Sequence, residues 1–500
     1  MVNELRRAGI LLPVFSLPSP YGIGTMGKAA FDFVDFLADS GQSLWQILPM
    51  GPADPAGSPY KSLSAFAGNP LYIDLDLLVA DGLLTKREIK PLRDATAGER
   101  RVNYAIQQEQ RLPVLFKAAA RLEEDAGYKK FIKENAWWLN DFALFISDES
   151  AAAGSCLLPP SRKIRTSDVV AEAGDHFLPS SRKRLTPDAA EAAKRIQYLF
   201  YTQWRRLKRY ANARGIGVVG DLPFYIGAES ADYRAHPELF VTDEEGRPGF
   251  IAGVPPDAFA EDGQVWNEPV YNWKEHKRTG YDWWLRRFRN AAEMYDLCRV
   301  DHFRAFAQYY AIPAGKPAKD GAWMDGPGRA FIDAVRKAAP SFGIIAEDLG
   351  IITEDVHALR EYSGYPGMRV LQFAFEPGED STYLPHNHIK DCVVYTGTHD
   401  NATLREWAAK AGKSESEFAR AYLGVNSKNL PVQVLKAALG SVAGAVIIPL
   451  QDYMGLGAES RINTPGIVSR KNWTWRLSGG DFTKTLSRDI RALSGMYGRS

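Results

Sequence analysis

The chain has 500 residues, with 61 Lys+Arg against 60 Asp+Glu, 45% hydrophobic and 24% charged residues. A formal net charge of +1 leaves no electrostatic footprint for nucleic acid or an anionic membrane, so a neutral substrate fits better than a polyanion. The length exceeds one simple core and allows a large domain with insertions.

From the N-terminus, Arg6-Arg7 and the apolar residues 8–17 imitate a signal peptide, but Gly9 and Pro13 interrupt the run and no small-residue cleavage site follows. Residues 8–14 read instead as a first strand. Ala30, Phe33, Val34 and Leu37 then recur at helical spacing, and 44–50 is a second apolar run, the start of a parallel α/β arrangement. Residues 71–190 break the rhythm: 75–145 is rich in Ala, Leu, Lys, Glu and Trp and helix-prone, 150–187 is rich in Ser and Pro, and a helix is expected over 188–214. The strand pattern returns at 215–222. A second insertion, 223–280, is expected to be loop-rich and to lie over the site, because Gly, Pro and aromatic residues crowd its first fifty positions. Further apolar runs at 296–303, 343–349, 369–375, 392–398 and 445–450 bring the strand candidates to eight, nearly all followed by helical segments. Eight strand–helix units predict a single catalytic (β/α)8 TIM barrel over 1–500, helical and loop-rich insertions included. An open doubly wound sheet is the alternative, but no Gly-rich phosphate fingerprint follows the first strand. No apolar run reaches the roughly 20 residues of a membrane helix. The three cysteines, Cys156, Cys298 and Cys392, draw no disulfide or zinc pattern, so a soluble cytoplasmic protein with reduced thiols is expected.

The chemistry gathers at the strand ends, where a barrel carries its active site. Asp221, Asp301, Glu347 with Asp348, and His399-Asp400 each close an apolar run. In Arg299-Val300-Asp301-His302-Phe303-Arg304, strand alternation puts Arg299, Asp301 and Phe303 on one face, and Arg299 is expected to hold Asp301 ionised. Converging carboxylates serve either a divalent metal or glycosidic bond cleavage. Arg299 and Arg304 compete with a cation, whereas Tyr60, Trp266, Tyr271 and Trp273 offer stacking faces to a sugar. The glycosidic reading leads.

Several segments, in order, resemble the amylomaltases, bacterial 4-alpha-glucanotransferases related to the plant disproportionating enzymes. They include Ser19-Pro20-Tyr21-Gly22-Ile23-Gly24, Trp45-Gln46-Ile47-Leu48-Pro49, Ser58-Pro59-Tyr60, Gly220-Asp221-Leu222-Pro223 and Arg299-Val300-Asp301-His302-Phe303-Arg304. Ala346-Glu347-Asp348-Leu349-Gly350, Thr398-His399-Asp400-Asn401, Asn463-Thr464-Pro465 and Trp473-Thr474-Trp475-Arg476 continue the series. The resemblance implies a retaining transferase that moves alpha-1,4-glucan segments to the 4-OH of glucose or another maltodextrin. Asp301 would be the nucleophile, Glu347 the acid/base and Asp400 the transition-state stabiliser. Tyr60, Asp221, Asp257, Trp266, Arg299, His302, His399 and Asn463 would contact substrate, with no metal and no cofactor. Maltooligosaccharides, amylose and glucose would be its partners, and no β-sandwich domain is expected after Leu477. The chain departs from the family at Ala402 (usually Asp), Ala305 (usually Gly) and Asn267-Glu268 (usually Gly-Asn), which bears on acceptor preference rather than on the three carboxylates.

Overall fold

In chain order the computed structural model has strands β1 (Arg7–Leu11), β2 (Leu44–Gln46), β3 (Gly217–Leu222), β4 (Phe250–Val254), β5 (Gln264–Pro269), β6 (Leu297–Val300), β7 (Gln308–Pro313), β8 (Ala322–Asp325), β9 (Gly343–Ala346), β10 (Gly367–Val370), β11 (Cys392–Tyr395) and β12 (Ala445–Pro449). It describes residues 6–153, 187–256, 262–350, 352–378 and 381–499. Eight strands close a barrel in the order β1-β12-β11-β10-β9-β6-β3-β2, and every pair in it is parallel. Barrel strands are covered on both faces, so they read as unbroken apolar runs, and β10, β11 and β12 are buried along their whole length.

All eight expected runs overlap a barrel strand, but most overshoot its C-terminal end. The clearest case is 369–375, where β10 stops at Val370 and a 3-10 turn, Leu371–Phe373, follows. Leu371, Ala374 and Phe375 are as buried as the strand itself, so apolarity continues after the ladder has ended. The same shortening ends β6 at Val300. Asp301 and His302 therefore lie in a turn, and the alternation expected through Phe303 stops at the strand end.

Between β2 and β3 lie the long helices Ala126–Ala153 and Pro187–Ala213. Two glutamines of the second grip the loops above β2. Gln197 exchanges hydrogen bonds with the backbone of Gly68 (2.7 and 2.9 Å), and Gln203 does the same at Asp74 (2.7 and 3.1 Å). Gly68 has to be glycine, because a Cβ there would fall 2.0 Å from the Phe200 ring. These clamps brace the segment that carries Tyr60.

The stretch expected to be irregular after β3 instead supplies β4 and β5. They join β7 and β8 in an antiparallel sheet ordered β5-β4-β7-β8. Trp266 is thus a strand residue, and Tyr271 is 1% exposed in an aromatic core with Phe224, Trp273 and Trp284. Its hydroxyl donates to the Phe224 carbonyl at 2.7 Å, which removes Tyr271 from the list of sugar platforms. Trp273, half-buried, packs on Trp284 with planes 21° apart, against that same core. Among the described residues no strand follows β12, and no helix is long and apolar enough to cross a membrane.

Candidate active site

Strand register places the first cluster. Asp221 of β3 is the direct partner of Arg299 on β6, and the Asp301 amide continues the ladder by donating to the Leu222 carbonyl at 3.0 Å. The Arg299 guanidinium reaches both Asp221 oxygens through Nη1 (2.9 and 3.0 Å) and Asp301 Oδ1 through Nη2 (2.9 Å). Arg299 and Asp221 are buried, whereas the Asp301 side chain is 28% exposed at the barrel mouth. One cation thus serves two carboxylates. Arg299 does favour the ionised form of Asp301, but it does not win outright: burial pushes the carboxyl above its ordinary range, Arg299 opposes this, and Asp221 and Asp400 add to the rise.

The second carboxylate follows β9. The Glu347 amide donates to the Val300 carbonyl (3.1 Å), which brings Glu347 beside the turn that carries Asp301. Oε2 accepts from the His302 amide at 2.7 Å and Oε1 from the Leu349 amide at 3.0 Å. His302 can point its N–H there because its backbone is left-handed, φ 50°, a conformation that is costly for a non-glycine residue and held here by its surroundings. Burial raises Glu347 to about 7, with Arg299 opposing and Asp301 assisting. Among the described residues no cation pairs with Glu347, whereas Asp301 has Arg299 at 2.9 Å, which favours the proton on Glu347 over Asp301. The His302 ring is pushed down to about 3 by burial and next by Arg304, and is neutral.

The third group lies across the mouth, beyond β11 and β12. Asp400 Oδ2 sits 3.3 Å from His399 Nε2, and Oδ1 accepts from Asn463 Nδ2 at 2.6 Å. Burial alone would raise this carboxyl, but His399, Asn463 and Arg299 hold it at about 2. The Tyr60 ring stacks on His399 (5.0 Å, 16°), and its hydroxyl donates to Asp221 Oδ2 at 2.6 Å, which joins this group to the Arg299 cluster. Burial and Asp221 push the Tyr60 phenol well up, so it remains a donor. Trp473 packs against both rings with φ 63°. On the other side Trp266 meets the His302 ring edge-on at 5.0 Å. Asn267, standing where the resemblance has glycine, adopts φ 68°, so the left-handed backbone is kept by the side chain that tolerates it best. Glu268 is buried beside Lys61, 3.7 Å away.

Of the expected site residues, Tyr60, Asp221, Arg299 and Asp301 form one contact chain, and His399, Asp400 and Asn463 join it through Tyr60. Glu347, His302 and Trp266 form the adjoining wall. Asp257 lies outside the described residues. Asp348 is not part of the group: it turns away to Arg360 and Arg369, each at 3.4 Å. Arg461 was missed. Its guanidinium donates to the Asp400 and Asn463 carbonyls, both at 2.7 Å, and an arginine on a loop carries no sequence signal of such a contact. The assembled site offers one ionisable carboxylate on a guanidinium, one carboxyl protonated below about pH 7, and one anion ionised throughout the working range. That combination can attack an electrophilic carbon, protonate a leaving oxygen and stabilise positive charge.

Comparison with known proteins follows the same line. The sequence profile of a family described as 4-alpha-glucanotransferase matches residues 12–483. The chain is 40% identical over 512 residues to a 4-alpha-glucanotransferase of Thermus thermophilus, covering 98% of this chain and 99% of the other. It is 40% identical over 511 residues to a chloroplastic/amyloplastic 4-alpha-glucanotransferase of Arabidopsis thaliana, covering 99% and 86%. Among solved structures, an amylomaltase from Streptococcus agalactiae in complex with acarbose matches with a TM-score of 0.89 at 33% identity, covering 99% of this chain and all of that one.

Proposed function

The chain belongs to the 4-alpha-glucanotransferase family, and from that premise we propose that it disproportionates alpha-1,4-glucans by a retaining double displacement. Asp301 attacks the anomeric carbon of a bound glucan while Glu347 gives its proton to the departing 4-oxygen, leaving a glycosyl ester on Asp301. Glu347, now a carboxylate, takes the proton from the 4-OH of glucose or of another maltodextrin, whose oxygen attacks the ester and regenerates the carboxylate of Asp301. Asp400 stabilises the oxocarbenium-like charge in both steps.

The observation that carries this reading is the unlike setting of the two carboxyls just past the C-terminal ends of the neighbouring strands β6 and β9. Asp301 is paired with Arg299, and Glu347 is held by two amides and raised to about 7. Retaining chemistry places such a pair about 5–5.5 Å apart, close enough for direct attack without an intervening water. Trp266 on β5 and the Tyr60–His399–Trp473 stack stand as the apolar walls that favour a sugar hydroxyl over water in the second step.

Incubation with maltotriose tests the proposal. Glucose together with a ladder of longer maltodextrins is expected. Glucose and maltose alone would overturn it in favour of a hydrolase.

A further inference from the structure

Asp400 and Asn463 sit on loops that follow different strands, β11 and β12, and the barrel ladder does not extend to either. One backbone bond ties the loops directly, from the Asn463 amide to the His399 carbonyl at 3.1 Å. An arginine side chain adds two more ties. Arg461, three-quarters buried, donates Nη2 to the Asp400 carbonyl and Nε to the Asn463 carbonyl, both at 2.7 Å, while Nη1 lies 4.0 Å from Glu406. Glu406 is itself buried and bonded to Lys410 at 2.6 Å, so the guanidinium is oriented from behind. A planar fork bonded at both ends fixes spacing as well as direction, which a single flexible ammonium cannot do.

The side chains in front are aligned by that arrangement. Asn463 Nδ2 donates to Asp400 Oδ1 at 2.6 Å, and His399 lies 3.3 Å from Oδ2. Two contacts leave the carboxylate with lone pairs still open toward the mouth. We propose that Arg461 is a positioning residue that locks Asp400 and Asn463 into one clamp, which closes on the hydroxyls of the reacting glucose as its ring flattens. This deepens the transferase reading and rests on it. The clamp acts on the transition state more than on the bound substrate, so its loss falls on turnover rather than on ground-state affinity.

The test compares wild type with Arg461→Met and Arg461→Lys in maltotriose disproportionation, with the binding of acarbose (whose unsaturated ring is flattened like an oxocarbenium ion) and of maltose. A displacement near 1 Å costs about 100-fold, so Arg461→Met is expected to lower kcat about 100-fold and acarbose affinity by a similar factor, with maltose affinity nearly unchanged. Arg461→Lys keeps the charge but serves one carbonyl at a time, and is expected to lose about tenfold in the same two quantities. It also carries the test if the methionine variant does not fold. Unchanged kcat, or acarbose and maltose weakened alike, would overturn the inference. Asp400→Asn separates the two claims: if it keeps wild-type turnover, the transferase mechanism fails, and if it is impaired while both Arg461 variants are not, only the clamp fails.

Discussion

Two arginine–carboxylate clusters stand side by side on the rim of the barrel, and their stoichiometries are opposite. In the first, Asp221 and Asp301 share the single guanidinium of Arg299. In the second, the single carboxylate of Asp348 is shared by Arg360 and Arg369, and its Oδ1 also accepts the Met368 amide at 2.7 Å. Glu347 and Asp348 are adjacent in the chain, yet Glu347 rests on two backbone amides beside the first cluster while Asp348 belongs to the second. The Asp348 carboxylate lies so close to β10 that a Cβ on Gly367 would fall 2.3 Å from it, so that cluster is shut. An excess of cation saturates a carboxylate and makes it structural. An excess of carboxylate leaves Asp301 on the guanidinium through Oδ1 alone, and its side chain is the partly exposed one at the mouth.

Breaking each cluster at its acid gives the largest contrast. Asp301→Asn is expected to lower transfer at least about 10⁴-fold with the fold intact, because it removes the group that the proposed mechanism uses as nucleophile. Asp348→Asn should leave turnover within about tenfold and instead cost stability, since two buried guanidiniums lose their common partner. Activity on maltotriose and a chemical denaturation curve measured on both variants decide this, and equal losses of activity would erase the distinction.

Removing a cation tests the same contrast through stability. Arg299→Met strands two carboxylates and is expected to cost about 3–5 kcal/mol, whereas Arg369→Met leaves Asp348 with Arg360 and the Met368 amide and should cost about 1–2 kcal/mol. The denaturation midpoints rank the two.

The smallest effect is a titration. In the proposed mechanism Glu347 must carry its proton to act as acid, and it is raised to about 7, so kcat/KM is expected to be retained below that pH and lost as pH rises through it. Asp301 must be ionised, so the acid limb falls where its own raised carboxyl takes up a proton. The Asp301 charge is among the causes that lift Glu347. In carbon-13 spectra of the labelled protein the Glu347 titration should therefore move down in Asp301→Asn and stay in place in Asp348→Asn.

Much of this was legible from residue order, for reasons that differ by region. The barrel strands showed as apolar runs because a parallel ring is covered on both faces, and their ends were misjudged because the following turns are equally buried. The antiparallel sheet was not legible. β4 and β5 contain Gly253, Asn267, Glu268 and Pro269, and they are strands because β7 lies beside β4, a partner more than fifty residues away. In the site, Asp301 and Glu347 stood out as acids closing apolar runs, but the separate fate of Asp348 and the reach of Arg461 depended on which loops meet across the rim.

By itself the sequence determined that eight buried strands would form, that carboxylates would close several of them, and which family pattern they match. Those are properties of local order and residue type. The tertiary structure decided the division of charge. Register set Asp221 against Arg299, the turn at His302 aimed an amide at Glu347, and the meeting of two distant loops put Arg461 behind Asp400. Charge balance and hydrogen-bond direction depend on distances between strands, and only closure of the barrel sets those distances.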